Sequence, residues 1–143
     1  MRFEELDAWK RSARLSAEIY KALTELRDYG FRDQITRAGL SIPSNIAEGY
    51  ERDGNKEIAN FLNYAKGSAG ELRTQIYIGM EVGYNSKDTG RHWLTEAQEI
   101  SKMLHALIKT IRTRQNSQGQ GTSYKVQTAS PLNLEPCPLN LPQ

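Results

Sequence analysis

Between Met1 and Ser130 the chain carries one proline, Pro43. An interior proline costs a helix about 3 kcal/mol, so its near absence leaves this span open to long helices. No stretch alternates apolar and polar residues with β-branched enrichment, and strands are not expected. Apolar residues instead recur at threes and fours, in four segments.

The first segment runs from about Glu4 to Arg27 and has two apolar stripes. At roughly 100° per residue, Leu6, Trp9, Ala13, Ala17 and Tyr20 share one face, and Leu15, Ile19, Ala22 and Leu26 share another. A charged strip lies between them: Asp7, Lys10, Arg11, Arg14, Glu18, Lys21 and Glu25. A helix in a monomeric bundle needs one stripe. The second face is therefore read as a subunit contact, the alternative being a surface packed beneath a loop or the tail. The second segment, about Phe31 to Arg52, places Phe31, Ile35, Ala38, Ile42 and Ile46 on one side. Pro43 lies inside it and crowds the carbonyl of Gly39, which has no side chain at that turn; a kink is expected rather than a break. A restart capped by Ser44 or Asn45 is the alternative.

Asp53-Gly54-Asn55 is a turn, and the third segment follows from about Lys56 to Gly83. Ile58, Phe61, Leu62, Ala65, Ala69, Leu72, Ile76 and Met80 form its core stripe. Its far side, with Asn60, Asn63, Gly67, Gly70, Thr74 and Ile78, is nearly free of charge. Each interior glycine costs about 1 kcal/mol relative to alanine. A solvated face has no use for that cost, whereas the close approach of another helix does. Leu15, Ile19, Leu26, Gly67, Gly70 and Thr74 are thus the candidate contacts of a homo-oligomer. Ser86 or Asp88 opens the fourth segment, which reaches about Arg114 with Trp93, Ala97, Ile100, Leu104, Leu107, Ile108 and Ile111 inward. Short connections favour antiparallel neighbours. The expected fold is all-α, an antiparallel up-down-up-down four-helix bundle with its second helix kinked at Pro43.

Composition changes near Arg114. Residues 116–143 hold one basic residue, one acidic residue and four of the five prolines. The domain is accordingly placed at 1–115 and a flexible, disordered tail at 116–143. Alternatively, Leu132, Leu134, Leu139 and Leu141 form a short docking segment. Cys137, the single cysteine, is most simply an incidental thiol, and it excludes both a disulfide framework and a multi-cysteine zinc site.

Nineteen Lys and Arg against seventeen Asp and Glu give a formal charge of +2, unlike a histone-like or an acidic disordered chain. No apolar run approaches the roughly 20 residues of a membrane span, and the acidic start lacks the apolar region of a secretory signal. A cytoplasmic protein without a membrane partner is expected. Catalysis finds little to work with. His92 and His105 are 13 residues apart, not at the four-residue spacing that aligns two ligands. Glu99 is followed three positions on by Lys102, not by the histidine of a di-iron bundle. Gly119-Gln120-Gly121 has no strand before it, and Ser41 and Ser44 have no neighbouring histidine. The expectation is no enzyme, no catalytic residue, no metal and no cofactor.

Ser41-Ile42-Pro43-Ser44-Asn45-Ile46-Ala47-Glu48-Gly49-Tyr50 goes further, because a proline inside a helical signature is specific. It resembles the signature of four-helix-bundle proteins encoded by intervening sequences within bacterial 23S rRNA genes. Leu6-Asp7-Ala8-Trp9, Gln34-Ile35-Thr36-Arg37-Ala38 and Ala65-Lys66-Gly67-Ser68-Ala69-Gly70-Glu71-Leu72 agree, and the match spans about Phe3 to Ile111. The resemblance implies a homopentameric ring. Its relatives include accessory proteins of diversity-generating retroelements, which bind a reverse transcriptase and nucleic acid. Fold follows firmly from such a likeness and function weakly.

Arg37, Pro43, Asn45, Glu48 and Gly49 form the structural signature. Its polar members are read as an ion pair or hydrogen-bond network fixing the kink, with Glu71 within reach; a ligand site is the alternative. Nucleic-acid binding, structured RNA first, is the leading functional expectation and rests mainly on the resemblance. Lys10, Arg11, Arg14 and Lys21 are its candidate residues. Taken alone their strip is an ordinary solvated face. Repetition round a ring multiplies it, and phosphate affinity grows with the number of cations engaged. A protein-interaction scaffold, such as a reverse transcriptase accessory without nucleic-acid contact, is the alternative.

Overall fold

The computed structural model describes residues 2–120, with side chains as far as Asn116. After a short 3-10 turn at Phe3–Glu5, four helices follow: α1 (Asp7–Ala22), α2 (Tyr29–Tyr50), α3 (Asn55–Val82) and α4 (Lys87–Gln120). Each packs on two neighbours, α1 on α2 and α4, and α3 on α2 and α4, while the backbones of the diagonal pairs stay apart. This is a four-sided bundle with successive helices antiparallel, as short connections require. No strand occurs among the described residues.

The helix ends follow from local chemistry. α1 is shorter than the Glu4–Arg27 span expected. Leu6 has extended backbone, with φ −77° and ψ 129°, and separates the opening turn from the helix. At the other end Leu23 leaves helical geometry and is buried, while the Thr24 hydroxyl donates to the carbonyls of Tyr20 and Lys21 at 2.9 and 3.1 Å. Asp28 caps α2 by accepting from the Phe31 amide at 3.1 Å, and the Tyr84 hydroxyl donates to the same carboxylate at 2.7 Å. The Tyr84 bond, then the Phe31 bond, holds that carboxyl below its usual range. Gly83 ends α3 in the left-handed region, φ 83°, where a side chain would be strained. Ser86 caps α4 through the Thr89 amide at 3.1 Å.

At Pro43 the helix is unbroken, as expected, whereas the end of the fourth helix differs from expectation. α2 continues through buried Pro43 without interruption, so no second cap at Ser44 or Asn45 is needed. α4 runs to Gln120, past the expected end at Arg114. Gly119 costs a helix only about 1 kcal/mol and does not block it as proline does. The rest of the expected tail, residues 121–143, lies outside the described residues.

Side-chain size sets how closely the helices approach. A Cβ at Gly39 would lie 3.8 Å from the Ser16 Cα, so α1 and α2 pack nearly backbone to backbone where Ser12 and Ser16 are buried. Gly49 is tighter still: its Cβ would fall 2.9 Å from the Phe61 Cβ and 3.4 Å from the Ile58 carbonyl oxygen. α2 therefore meets α3 at a point where only glycine fits. Along the same helix Ile35, Ala38, Ile42 and Ile46 of α2 join Leu62, Ala65, Ala69, Leu72 and Ile76 of α3 in the core, all nearly free of solvent exposure.

Gly49→Ala tests that close approach. Alanine improves helix propensity by about 1 kcal/mol, but overpacking typically costs about 1–3 kcal/mol. A net loss of stability is expected in urea unfolding, opposite in sign to the propensity effect.

Candidate nucleic-acid interface

Of the four basic residues expected on α1, three lie at the surface. Lys10, Arg14 and Lys21 are exposed. Arg11 is not available. Its Nε and Nη2 donate to the two carboxylate oxygens of Glu96 at 2.6 and 2.9 Å, a bidentate pair bridging α1 and α4. The side chains are 16% and 4% exposed. Arg11 is thereby corrected from a phosphate ligand to a structural cation. A signal was present in the sequence: Glu96 falls on the apolar stripe of Trp93, Ala97 and Ile100, and a carboxylate there needs a cation from another helix.

Beside this pair lies a second buried polar group. His92 is 5% exposed; its Nε2 is 3.8 Å from a Glu18 carboxylate oxygen, and neither ring nitrogen has a hydrogen-bond partner among the described residues. Burial lowers the His92 pKa, with the Glu96 charge opposing. Burial raises that of Glu18 and the Glu96 charge adds to it, while Arg14 and Lys21 pull it down. Arg14 and Lys21 are thus partly balanced by a neighbouring carboxylate, which weakens the α1 strip as a site for anions.

The same pair fixes the rotation of α1 and corrects the expected oligomer contacts. Leu15 and Ile19 are 1% and 0% exposed in the isolated chain. They belong to its own core, and Leu26 packs half-buried against that core. The surplus apolar stripe is the other one. Trp9 is half-buried edge-on against Phe3 at 5.4 Å, Ala17 is exposed, and Tyr20 is 44% exposed. On α3 the expected contact residues lie on an open face: Gly67 and Thr74 are exposed and Gly70 half-buried. A Cβ at Gly67 would meet nothing within 4 Å.

The signature divides into packing and surface. Pro43 and Gly49 are buried. Asn45 donates to the Ser41 carbonyl and hydroxyl oxygens at 2.8 and 2.9 Å, and the Ser41 hydroxyl is 2.8 Å from that of Ser68 on α3. The expected network around Arg37 and Glu48 does not form. Arg37 is exposed, as is Glu71, and Glu48 accepts from Arg52 at 2.8 Å. Arg52 in turn lies over the Phe61 ring, 4.8 Å from its centroid. Four residues separate Glu48 from Arg52, a natural intrahelical spacing, whereas no bend brings Arg37 within reach.

Among the described residues no three His, Cys, Asp or Glu side chains converge as a metal site requires. None of the described helices is long and apolar enough to cross a membrane.

An all-helical bundle with a proline-containing signature inside its second helix defines a narrow class. Residues 4–106 match the profile of the 23S rRNA-intervening sequence proteins, and the chain belongs to that family. It is similar to a crystal structure of a protein of unknown function from the S23 ribosomal protein family of Bacteroides thetaiotaomicron. The two are 27% identical with a TM-score of 0.68, the match covering 72% of this chain and 99% of that one. No curated protein matches the chain.

Two outcomes test the buried polar seam. Arg11→Met leaves Glu96 buried without its bidentate partner and is expected to cost about 3–5 kcal/mol, most of it regained in Arg11→Met/Glu96→Met; urea unfolding of the cycle measures both. His92, with its pKa lowered on folding, binds its proton more readily when unfolded. Its contribution is whole above the unfolded value of about 6.5 and is lost as pH falls. Wild type should lose stability between about pH 7.5 and 5.5, and His92→Leu should flatten that slope.

Proposed function

We propose that the chain is a non-enzymatic bundle that assembles with copies of itself and binds nucleic acid, structured RNA first, through basic surfaces repeated round the assembly. The observation that carries this reading is the outer face of α3. Gly67 has open space where a Cβ would be, although glycine inside a helix costs about 1 kcal/mol that nothing among the described residues repays. Tyr64, Tyr77 and Ile78 on the same helix are 59%, 56% and 48% exposed. A neighbouring helix seated there gives the small residues a purpose and covers the apolar ones. A pentameric ring is the proposed closed assembly, and a cyclic assembly presents the exposed Lys10, Arg14 and Lys21 once per subunit.

Nucleic-acid binding draws its support from those exposed cations and from the family, whose description refers to the 23S rRNA-intervening sequence. The second reading, a protein-interaction scaffold or reverse transcriptase accessory, uses the same uncovered faces without phosphate contact.

Light scattering of the full chain, with and without a structured rRNA fragment at low and high salt, separates the readings. The expected mass is about five times the 16.2 kDa chain, rising with RNA at low salt only. Gly67→Arg with Thr74→Arg should return a helical monomer. A wild-type monomer refutes the assembly. An assembly indifferent to RNA at low salt removes the nucleic-acid reading and leaves the scaffold.

A further inference from the structure

The cations of this molecule are unevenly balanced. Arg2 pairs with Glu4, Arg11 with Glu96, Arg52 with Glu48 and Arg91 with Asp88. Arg32 donates to the carbonyls of Thr24 and Leu26, and Arg14 and Lys21 act on Glu18. The second half of α4 is different. From Ser101 to Gln120 it contains Lys102, His105, Lys109, Arg112 and Arg114 and no acidic residue.

Lys102, His105, Lys109 and Arg112 follow one another at spacings of three, four and three, so they form one row along the helix. All four are exposed. None of Lys102, Lys109 or Arg112 enters an ion pair among the described residues. The adjacent helix adds positive charge instead of cancelling it: Lys66 of α3 places its Nζ 3.3 Å from the His105 Nδ1. Arg73, two turns along α3 from Lys66, is half-buried with an Nε that has no hydrogen-bond partner among the described residues.

We infer that this α4 row, flanked by Lys66, is the surface that holds the phosphate backbone of a nucleic-acid duplex. The shape of the array selects the ligand. A single phosphate needs donors that converge, whereas these extend in a line. Ten residues of helix separate Lys102 from Arg112, about 15 Å of rise. Along a duplex one strand presents a phosphate about every 3.4 Å, so about four phosphates span that length. Charge is read ahead of base identity, since the row contains no amide, phenol or indole side chain and its one ring, His105, lies against Lys66. The inference rests on the nucleic-acid reading above and moves its centre from α1 to α4.

The test uses the full chain and a fluorescently labelled 20-base-pair RNA duplex, followed by anisotropy across a salt series. Lys102→Gln/Lys109→Gln/Arg112→Gln should weaken binding by tenfold or more, on the order expected for three lost phosphate contacts, and lower the slope of log affinity against log salt by about 2.7. Lys10→Gln/Arg14→Gln/Lys21→Gln should weaken binding less than the α4 variant does, because Glu18 already balances part of that strip. All six positions are exposed, and unchanged circular dichroism and solution mass identify variants that keep the fold and the assembly. Wild-type affinity and salt slope in the α4 variant overturn this site while leaving nucleic-acid binding intact, as does a loss confined to the α1 variant. A wild-type chain that ignores the duplex at low salt overturns both.

Discussion

The bidentate bond between Arg11 and Glu96 sets much of what the bundle presents to solvent. Two charges taken out of water lose several kcal/mol of hydration each, and only close, well-directed contacts offset that loss. Both nitrogen-to-oxygen distances are below 3 Å, and the Glu96 side chain is 4% exposed. Such a pair tolerates little rotation of either helix. Once Arg11 points at α4, Leu15 and Ile19 must turn inward, and Ala17 and Tyr20 must turn out. Surface and core on α1 follow from one contact.

This explains why α1 was the least legible part of the sequence. Its two apolar stripes satisfy the same helical period, so periodicity alone does not choose between them. The choice is made by a residue 85 positions away and by the small Ser12 and Ser16, which let Gly39 come close. The other helices offered one stripe each, and their inward residues were readable directly: Ile35 and Ile42, Leu62 and Leu72, Ile100 and Leu104 are all buried. The capped ends at Asp28 and Gly83 carry recognisable chemistry, whereas α1 begins at Leu6 and ends at Leu23, residues whose side chains announce no boundary.

The candidate site shows the same division. A run of basic residues on α1 is conspicuous in sequence, yet its members stand among carboxylates that only packing brings to bear on them. The α4 row is less conspicuous because its cations are spread among apolar residues of the core stripe. Its distinguishing property is the lack of any acid from Ser101 to Gln120, a property of neighbours and not of the cations themselves. The signature around Pro43 was readable as structure but not in its details. Gly49 and the Ser41, Asn45 and Ser68 hydroxyl and amide contacts fasten α2 to α3, while Glu48 holds Arg52 just past the end of α2, over the Phe61 ring.

The seam closed by Arg11 and Glu96 joins the first helix to the last. With 85 residues between them, a ribosome adding about 5–20 residues per second delivers the carboxylate roughly 4–17 s after the guanidinium. The hairpins α1–α2, α2–α3 and α3–α4 have their partners at hand in that order, but α1 spends the interval with its orienting charge unmatched. The contact that fixes the rotation of the first helix is therefore among the last that the growing chain can make.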